Sequence, residues 1–124
     1  KYKASVFYVS SENVIKMKEA GHIVGSHTFD HPVMSKLSRS EQADQIVTSF
    51  NFLSKIGCLS EKTYCHPYGG FHSFNEDTLE LLSQNEVLYS FNVEARDISS
   101  NDIELSRHFL PRYDCNQFPY GLAS

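Results

Sequence analysis

The sequence predicts an α/β fold with mainly parallel strands and helices packed outside them. Three observations carry this. Short runs rich in β-branched and aromatic residues alternate with longer stretches of helical periodicity. Serines, asparagines and glycines mark the boundaries as caps and stops. No internal repeat, low-complexity run or linker interrupts the 124 residues, so they form one domain, 1–124.

Taken in order, residues 3–9 (Lys-Ala-Ser-Val-Phe-Tyr-Val) read as a strand ending at Ser10-Ser11, which can cap a helix. Residues 12–20 follow as that helix, with Val14, Ile15 and Met17 among charged neighbours and Gly21 as its stop. Residues 22–26 read as a short buried strand. Ser38-Arg39-Ser40-Glu41 is a capping box, in which hydroxyl and carboxylate satisfy free amides at a helix start. That helix runs to Ile56, with Ala43, Ile46, Val47, Phe50 and Leu53 on one stripe and Gly57 at its end. Residues 63–66 form a strand. Ser73 or Asn75 opens a further helix whose core face carries Leu79 and Leu82. Residues 89–93 form another strand, and 103–114 are ambiguous, with Leu110 and Tyr113 as candidates for a last strand. This order of strand and helix places the strands parallel.

Composition narrows the function. Hydrophobic residues make up 40% and aromatics 13%, enough for a packed core and too much for a disordered chain. The net charge of −4, with no lysine–arginine cluster, argues against nucleic-acid binding. No apolar run reaches membrane-spanning length. The three cysteines, Cys58, Cys65 and Cys115, are an odd number at wide spacing. They read as reduced thiols and lean to a cytoplasmic chain, although a start lying further upstream could carry a signal peptide.

The chemistry concentrates in Gly25-Ser26-His27-Thr28-Phe29-Asp30-His31-Pro32. Two neutral imidazoles this close can share one metal ion. Strand-like residues upstream (Phe7, Val9, Ile23, Val24) put them on a loop at a strand's C-terminal end, where α/β folds place their chemistry. The bland alternative is a pair of histidines capping a loop. A second motif, Tyr64-Cys65-His66-Pro67-Tyr68-Gly69-Gly70, carries turn chemistry after a strand. His66 and His72 flank that turn and read as rim or solvated; His22 reads as structural. Cys65 reads as a packing thiol rather than a ligand. Arg96-Asp97, and likewise Arg112 with Asp114, are either orienting pairs or local ion pairs.

With these residues quoted, the chain resembles the polysaccharide deacetylases, the NodB homology domain of carbohydrate esterase family four. His27-Thr28-Phe29-Asp30-His31 is similar to the family's His-Ser/Thr-x-x-His motif. Cys65-His66-Pro67-Tyr68-Gly69 is similar to Arg-x-Pro-Tyr-Gly. Residues 21–26 and 3–9 are also typical, and the resemblance thins after Asp97. The tail from Leu110 to Asn116 resembles a divergent branch better than the chitin and peptidoglycan enzymes.

The resemblance implies a partial irregular (β/α) barrel and removal of acetyl groups from N-acetylated sugars. It implies a divalent metal, zinc by habit, on His27 and His31. It implies Pro67, Tyr68 and Gly69 at the substrate, the Tyr68 backbone amide on the oxyanion, and His108 in Leu105-Ser106-Arg107-His108 as general acid. Asp30, between the histidines, is not a ligand in the family. The base and the third ligand belong to a Thr-Phe-Asp-Asp strand preceding residue 3, so the chain reads as a piece lacking that strand, binding metal weakly. The motif's arginine is Cys65 here, and no tryptophan is present for the family's fourth motif. A second reading is therefore a non-catalytic carbohydrate-binding or regulatory domain that kept the fold. An open sheet would also leave residues 3–9 as an edge inviting a second copy.

Overall fold

The computed structural model describes residues 8–117. Helix α1 (Ser11–Glu19) begins where the Ser10 hydroxyl accepts from the Asn13 amide, as the serine pair suggested. Helix α2 (Arg39–Lys55) carries the expected capping box, with Ser38 Oγ and Glu41 satisfying each other's amides. Strand β1 (Thr63–Cys65) runs parallel to β2 (Tyr89–Phe91), pairing Thr63 with Tyr89 and Cys65 with Phe91. Helix α3 (Glu76–Gln84) connects them, capped by Asn75 rather than Ser73. A short helix α4 (Ser100–Leu105) follows, opened by Ser99 with Asp102.

Single parallel bridges extend the sheet on both sides, Ser26 to Tyr64 and Leu110 to Phe91. The row therefore reads Ser26, β1, β2, Leu110, all running the same way. One side of this row lies under α2 and α3. Tyr64 joins Ile46, Phe50 and Leu53 of α2 and Leu81 and Leu82 of α3 in the core, with Met34 and Val87. Between the two helices the buried Gln42 amide donates to Asn75 Oδ1, and the Thr78 hydroxyl donates to Gln42 Oε1. Burying these groups is tolerable because each finds a partner.

Several expectations change. Residues 22–26 form a single bridge at Ser26 rather than a buried strand; Ile23 is 60% exposed because nothing among the described residues covers it. Val47 is exposed and Leu79 only half-buried; Leu81 takes the place expected of Leu79, since α3 faces α2 through Thr78, Leu81 and Leu82. Helix α1 buries none of its residues, including Val14, Ile15 and Met17. Within 103–114, Ile103 is helical and Leu110 makes a bridge, while Tyr113 lies in no strand. The strand expected over 3–9 falls outside the described residues except for Tyr8 and Val9, which are exposed coil. Among the described residues no helix is long and apolar enough to cross a membrane.

Candidate metal and sugar site

The chain leaves the sheet at Ser26 and turns sharply. Ser26 is fixed by ladder bonds on both sides, its amide to Thr63 O and its carbonyl to the Cys65 amide, both at 2.9 Å. Gly25 precedes it because a Cβ there would meet the Thr63 carbonyl oxygen at 2.8 Å. His27 is then the first residue beyond the C-terminal end of the row. Its Nδ1 lies 2.8 Å from Cys65 O. A carbonyl only accepts, so Nδ1 carries the proton and donates, and the Nε2 lone pair is left for a metal.

The loop onward is strained and self-bonded. Thr28 and His31 have φ of +68° and +57°, a region that residues other than glycine enter uncommonly and β-branched ones such as threonine rarely. The Thr28 hydroxyl offsets this by donating to His27 O and accepting from the His31 amide at 3.0 Å. Ser26 Oγ takes the Thr28 amide. Gln45 of α2 accepts from the amides of Phe29 and Asp30 and donates to the Asp30 carboxylate. Asp30 is thereby turned toward α2.

This loop brings the two imidazoles together, with centroids 4.7 Å apart and planes at 65°. At nitrogen–metal distances of about 2.1 Å, two rings sharing one tetrahedral ion have centroids about 5 Å apart. The ring spacing is compatible with two imidazoles on one divalent ion. Among the described residues no third histidine, cysteine, aspartate or glutamate converges with them.

The second motif supplies the opposite wall. The Tyr68 ring lies edge-on to His31 at 4.7 Å, and Tyr68 itself adopts φ of +66°. No acceptor among the described residues takes its amide. Gly69, at φ +76°, is packed so closely that a Cβ would overlap the Val93 side chain. Pro67 is buried beneath the turn.

Other expected residues land elsewhere. His108 lines a different groove from the one beside His27. It precedes the Leu110 bridge by two residues, on the N-terminal side of a parallel row, whereas His27 follows its bridge on the C-terminal side. Its Nδ1 lies 3.3 Å from Ser90 Oγ, and the ring lines a separate groove with Leu88, Leu105 and Arg107. Partial burial and then the nearby Arg107 charge lower its pKa.

His66 is not a rim residue but buried at 1% exposure. It stacks on Phe74 at 3.9 Å, its Nε2 donates to His108 O at 2.6 Å, and its Nδ1 has no partner among the described residues. Burial holds its pKa down at about 4, so the ring is neutral. Arg96 binds Asp102 through two bonds of 2.7 Å and also Glu94, leaving the Asp97 carboxylate to accept from the Tyr113 hydroxyl. Cys65 is half-buried, its thiol pKa pushed up by burial against an opposing effect of Arg112.

Arg112 lines a groove of about 570 Å³ with His27, Cys65, Ile23 and Phe91. Sequence reasoning ranked it below the histidines, and it missed Gln45 and Ser49. Both grip the 26–31 segment from a helix more than ten residues away, a contact that leaves no local pattern.

The comparisons decide the family. The polysaccharide deacetylase family model matches residues 2–90. The chain belongs to the polysaccharide deacetylase family. Over 87 residues it is 31% identical to the peptidoglycan-N-acetylglucosamine deacetylase of Bacillus cereus, spanning 68% of this chain and 30% of that protein. Over 76 residues it is 32% identical to the peptidoglycan-N-acetylmuramic acid deacetylase PdaC of Bacillus subtilis, spanning 61% of this chain and 15% of that one. Among solved structures, the Streptococcus pyogenes deacetylase PplD in complex with acetate superposes with a TM-score of 0.78 at 20% identity, covering 92% of this chain and 49% of PplD. A family 4 carbohydrate esterase from Streptomyces lividans in complex with acetate gives 0.59 at 20% identity over 76% of this chain and 45% of its own length. The polysaccharide deacetylase chain thus spans less than a third of the curated relatives it matches. Its family hydrolyses carbon–nitrogen bonds other than peptide bonds and is generally metal-dependent.

Proposed function

We propose that this chain carries the imidazole half of a carbohydrate N-deacetylase site, on a sheet that is an arc of the family's irregular (β/α) barrel. The observation that supports this most is the His27–His31 pair, 4.7 Å between ring centroids, with His27 Nδ1 anchored on the Cys65 carbonyl. His27 and His31 would hold the ion. Zinc suits two imidazoles, and when bound there it lowers the pKa of a coordinated water and polarises an acetamido carbonyl.

The remaining work falls to the chain itself. The Cys65 carbonyl fixes the His27 tautomer and keeps Nε2 a lone-pair donor. The Tyr68 ring holds His31 edge-on. The Tyr68 amide, held by the Pro67–Gly69 turn, donates to the oxygen on which charge develops. The substrate is an N-acetylated amino sugar within a polysaccharide, and the product is acetate. His108 takes no part in this proposal, since it lines a separate groove with Leu88, Leu105 and Arg107.

Acetate release from N-acetylglucosamine oligomers, with zinc and after chelation, tests the reading. Turnover is expected when a segment carrying the family's Thr-Phe-Asp-Asp motif is joined upstream. The chain by itself is expected to bind zinc weakly, through two ligands. Undetectable zinc affinity in the joined protein would overturn the enzyme reading and favour a carbohydrate-binding domain.

A further inference from the structure

We propose that Arg112 supplies the guanidinium that holds a carboxylate at this site, from the rim of the groove opposite His27. It does the work of the arginine that the second motif lacks at Cys65. This rests on the deacetylase reading above and adds a positioning residue to it.

The sheet register places Arg112. Ser26 bridges Tyr64, Cys65 pairs with Phe91, and Phe91 bridges Leu110, so His27 and Leu110 stand level at opposite edges of the row. Arg112 comes two residues after Leu110, beyond the C-terminal end of the sheet, as His27 is. Both border one cavity of about 570 Å³, with Cys65 and Phe91 between them. Three strand spacings separate the two outer columns by about 14 Å. Across that span there is room for a small planar anion between guanidinium and imidazole.

The guanidinium is also uncommitted. Arg39 holds Asp77 and Glu80, and Arg96 holds Glu94 and Asp102, whereas Arg112 pairs with no carboxylate among the described residues, Asp114 included. Its main chain is fixed all the same. The Arg112 amide donates to Glu94 O at 3.0 Å, and Pro111 before it is buried. Its charge opposes the effect of burial on the Cys65 thiol, so it acts where the motif has its arginine.

Chemistry supplies the ligand class. A guanidinium is a planar fork of donors that meets a carboxylate in two parallel bonds. Ile23 and Phe91 line the same groove, and apolar walls strengthen such a pair by keeping water from it. The carboxylate has two sources: a side chain of the segment joined upstream, or free acetate.

In the isotope-labelled full chain with zinc, acetate should shift the Arg112 Nε–H resonance saturably. It should leave that of Arg107, in the other groove, unchanged. Arg112→Gln should weaken acetate binding about tenfold with zinc affinity intact, and Arg112→Lys should recover part of the loss, since the charge stays and the fork goes. With the upstream segment joined, a side-chain partner should hold the Arg112 resonance at its bound position and make it indifferent to acetate. In that case Arg112→Gln should also lower kcat about a hundredfold at nearly unchanged KM. The acid limb of its pH profile should move upward, because a carboxylate has lost the cation that lowers its pKa. If the partner is the free ion, the joined protein should still answer to acetate. An Arg112 signal that answers neither to acetate nor to the joined segment, while zinc still binds, would overturn the proposal and leave the deacetylase reading standing. A signal that answers in a joined protein that neither binds zinc nor releases acetate would sink that reading and keep the carboxylate site.

Discussion

The two faces of the short sheet are built to different standards. Toward α2 and α3 it presents Tyr64, His66, Ser90 and Asn92, all buried. Toward the other side it presents Thr63, Cys65, Phe91 and the exposed Tyr89 and Val93, flanked by Ile23. The first face is where burial stabilises the fold; the second contributes little and is left free to meet a ligand or more protein. The histidine pair stands at the end of the row, its loop gripped from the packed side by Gln45 and Ser49. A function can be placed there without spending core residues on it.

The largest expected effect tests this contrast directly. Leu82→Ala, in the packed core, should lower the unfolding free energy by about 2–5 kcal/mol. Ile23→Ala, on the open side, should change it by no more than about 0.5 kcal/mol. Urea denaturation of both variants reads the difference, and similar losses would mean that the open face is covered in solution.

The buried His66 supplies the next. Its pKa is about 4 in the fold against 6.5 in the unfolded chain. The unfolded state therefore binds the proton first, and stability falls as pH drops from about 6.5 to about 4, by roughly 3 kcal/mol in all. Above pH 7 both states are neutral and the group contributes no slope. His66→Phe should keep a ring on Phe74 and flatten this segment of the stability–pH curve. An unchanged slope would assign it to other groups.

These two faces also explain what could be read from sequence. The α2 capping box and stripe were legible because cap and periodicity are local, as were the Ser10 and Asn75 caps and the strands at 63 and 89. The site's two motifs were legible because each is contiguous. What was not legible is contact across the chain. Parallel pairing brings Cys65 O to His27 Nδ1 over 38 residues, and no pattern near either residue announces it. His66 looked solvated because its neighbours Pro67 and Gly69 signal a turn; its burial comes from Phe74 and from the His108 carbonyl. His108 reads as an acid because Leu-x-x-His resembles a motif, while the chain sets its ring beside Ser90 and in a separate groove. The Ser99-to-Asp102 capping box is equally local.

On the open side, function should be separable from stability. His27→Ala or His31→Ala should each weaken zinc binding by at least about a hundredfold. Both residues are exposed, so neither change should lower the melting temperature by more than a degree or two. Calorimetric zinc titration alongside thermal melts measures both. Retained affinity in either variant would mean that the two rings do not share an ion.

The smallest effect crosses the boundary between the faces. Gln45 belongs to α2, yet its side chain makes three bonds to Phe29 and Asp30, between the two histidines. It touches neither imidazole. Gln45→Ala removes an acceptor shared by two exposed amides that water can replace, so stability should drop by no more than about 1 kcal/mol. The strained Thr28 and His31 conformations, however, lose one of the restraints that hold the rings 4.7 Å apart. A looser loop must be ordered when the ion binds, and zinc affinity should fall by about threefold to tenfold. Gln45→Glu keeps an acceptor for the Phe29 and Asp30 amides but sets a like charge against the Asp30 carboxylate. It should fall between the parent and the alanine variant. If all three bind zinc equally, Ser26 and Thr28 alone hold the loop, and the packed half of the molecule positions the open half only through the sheet.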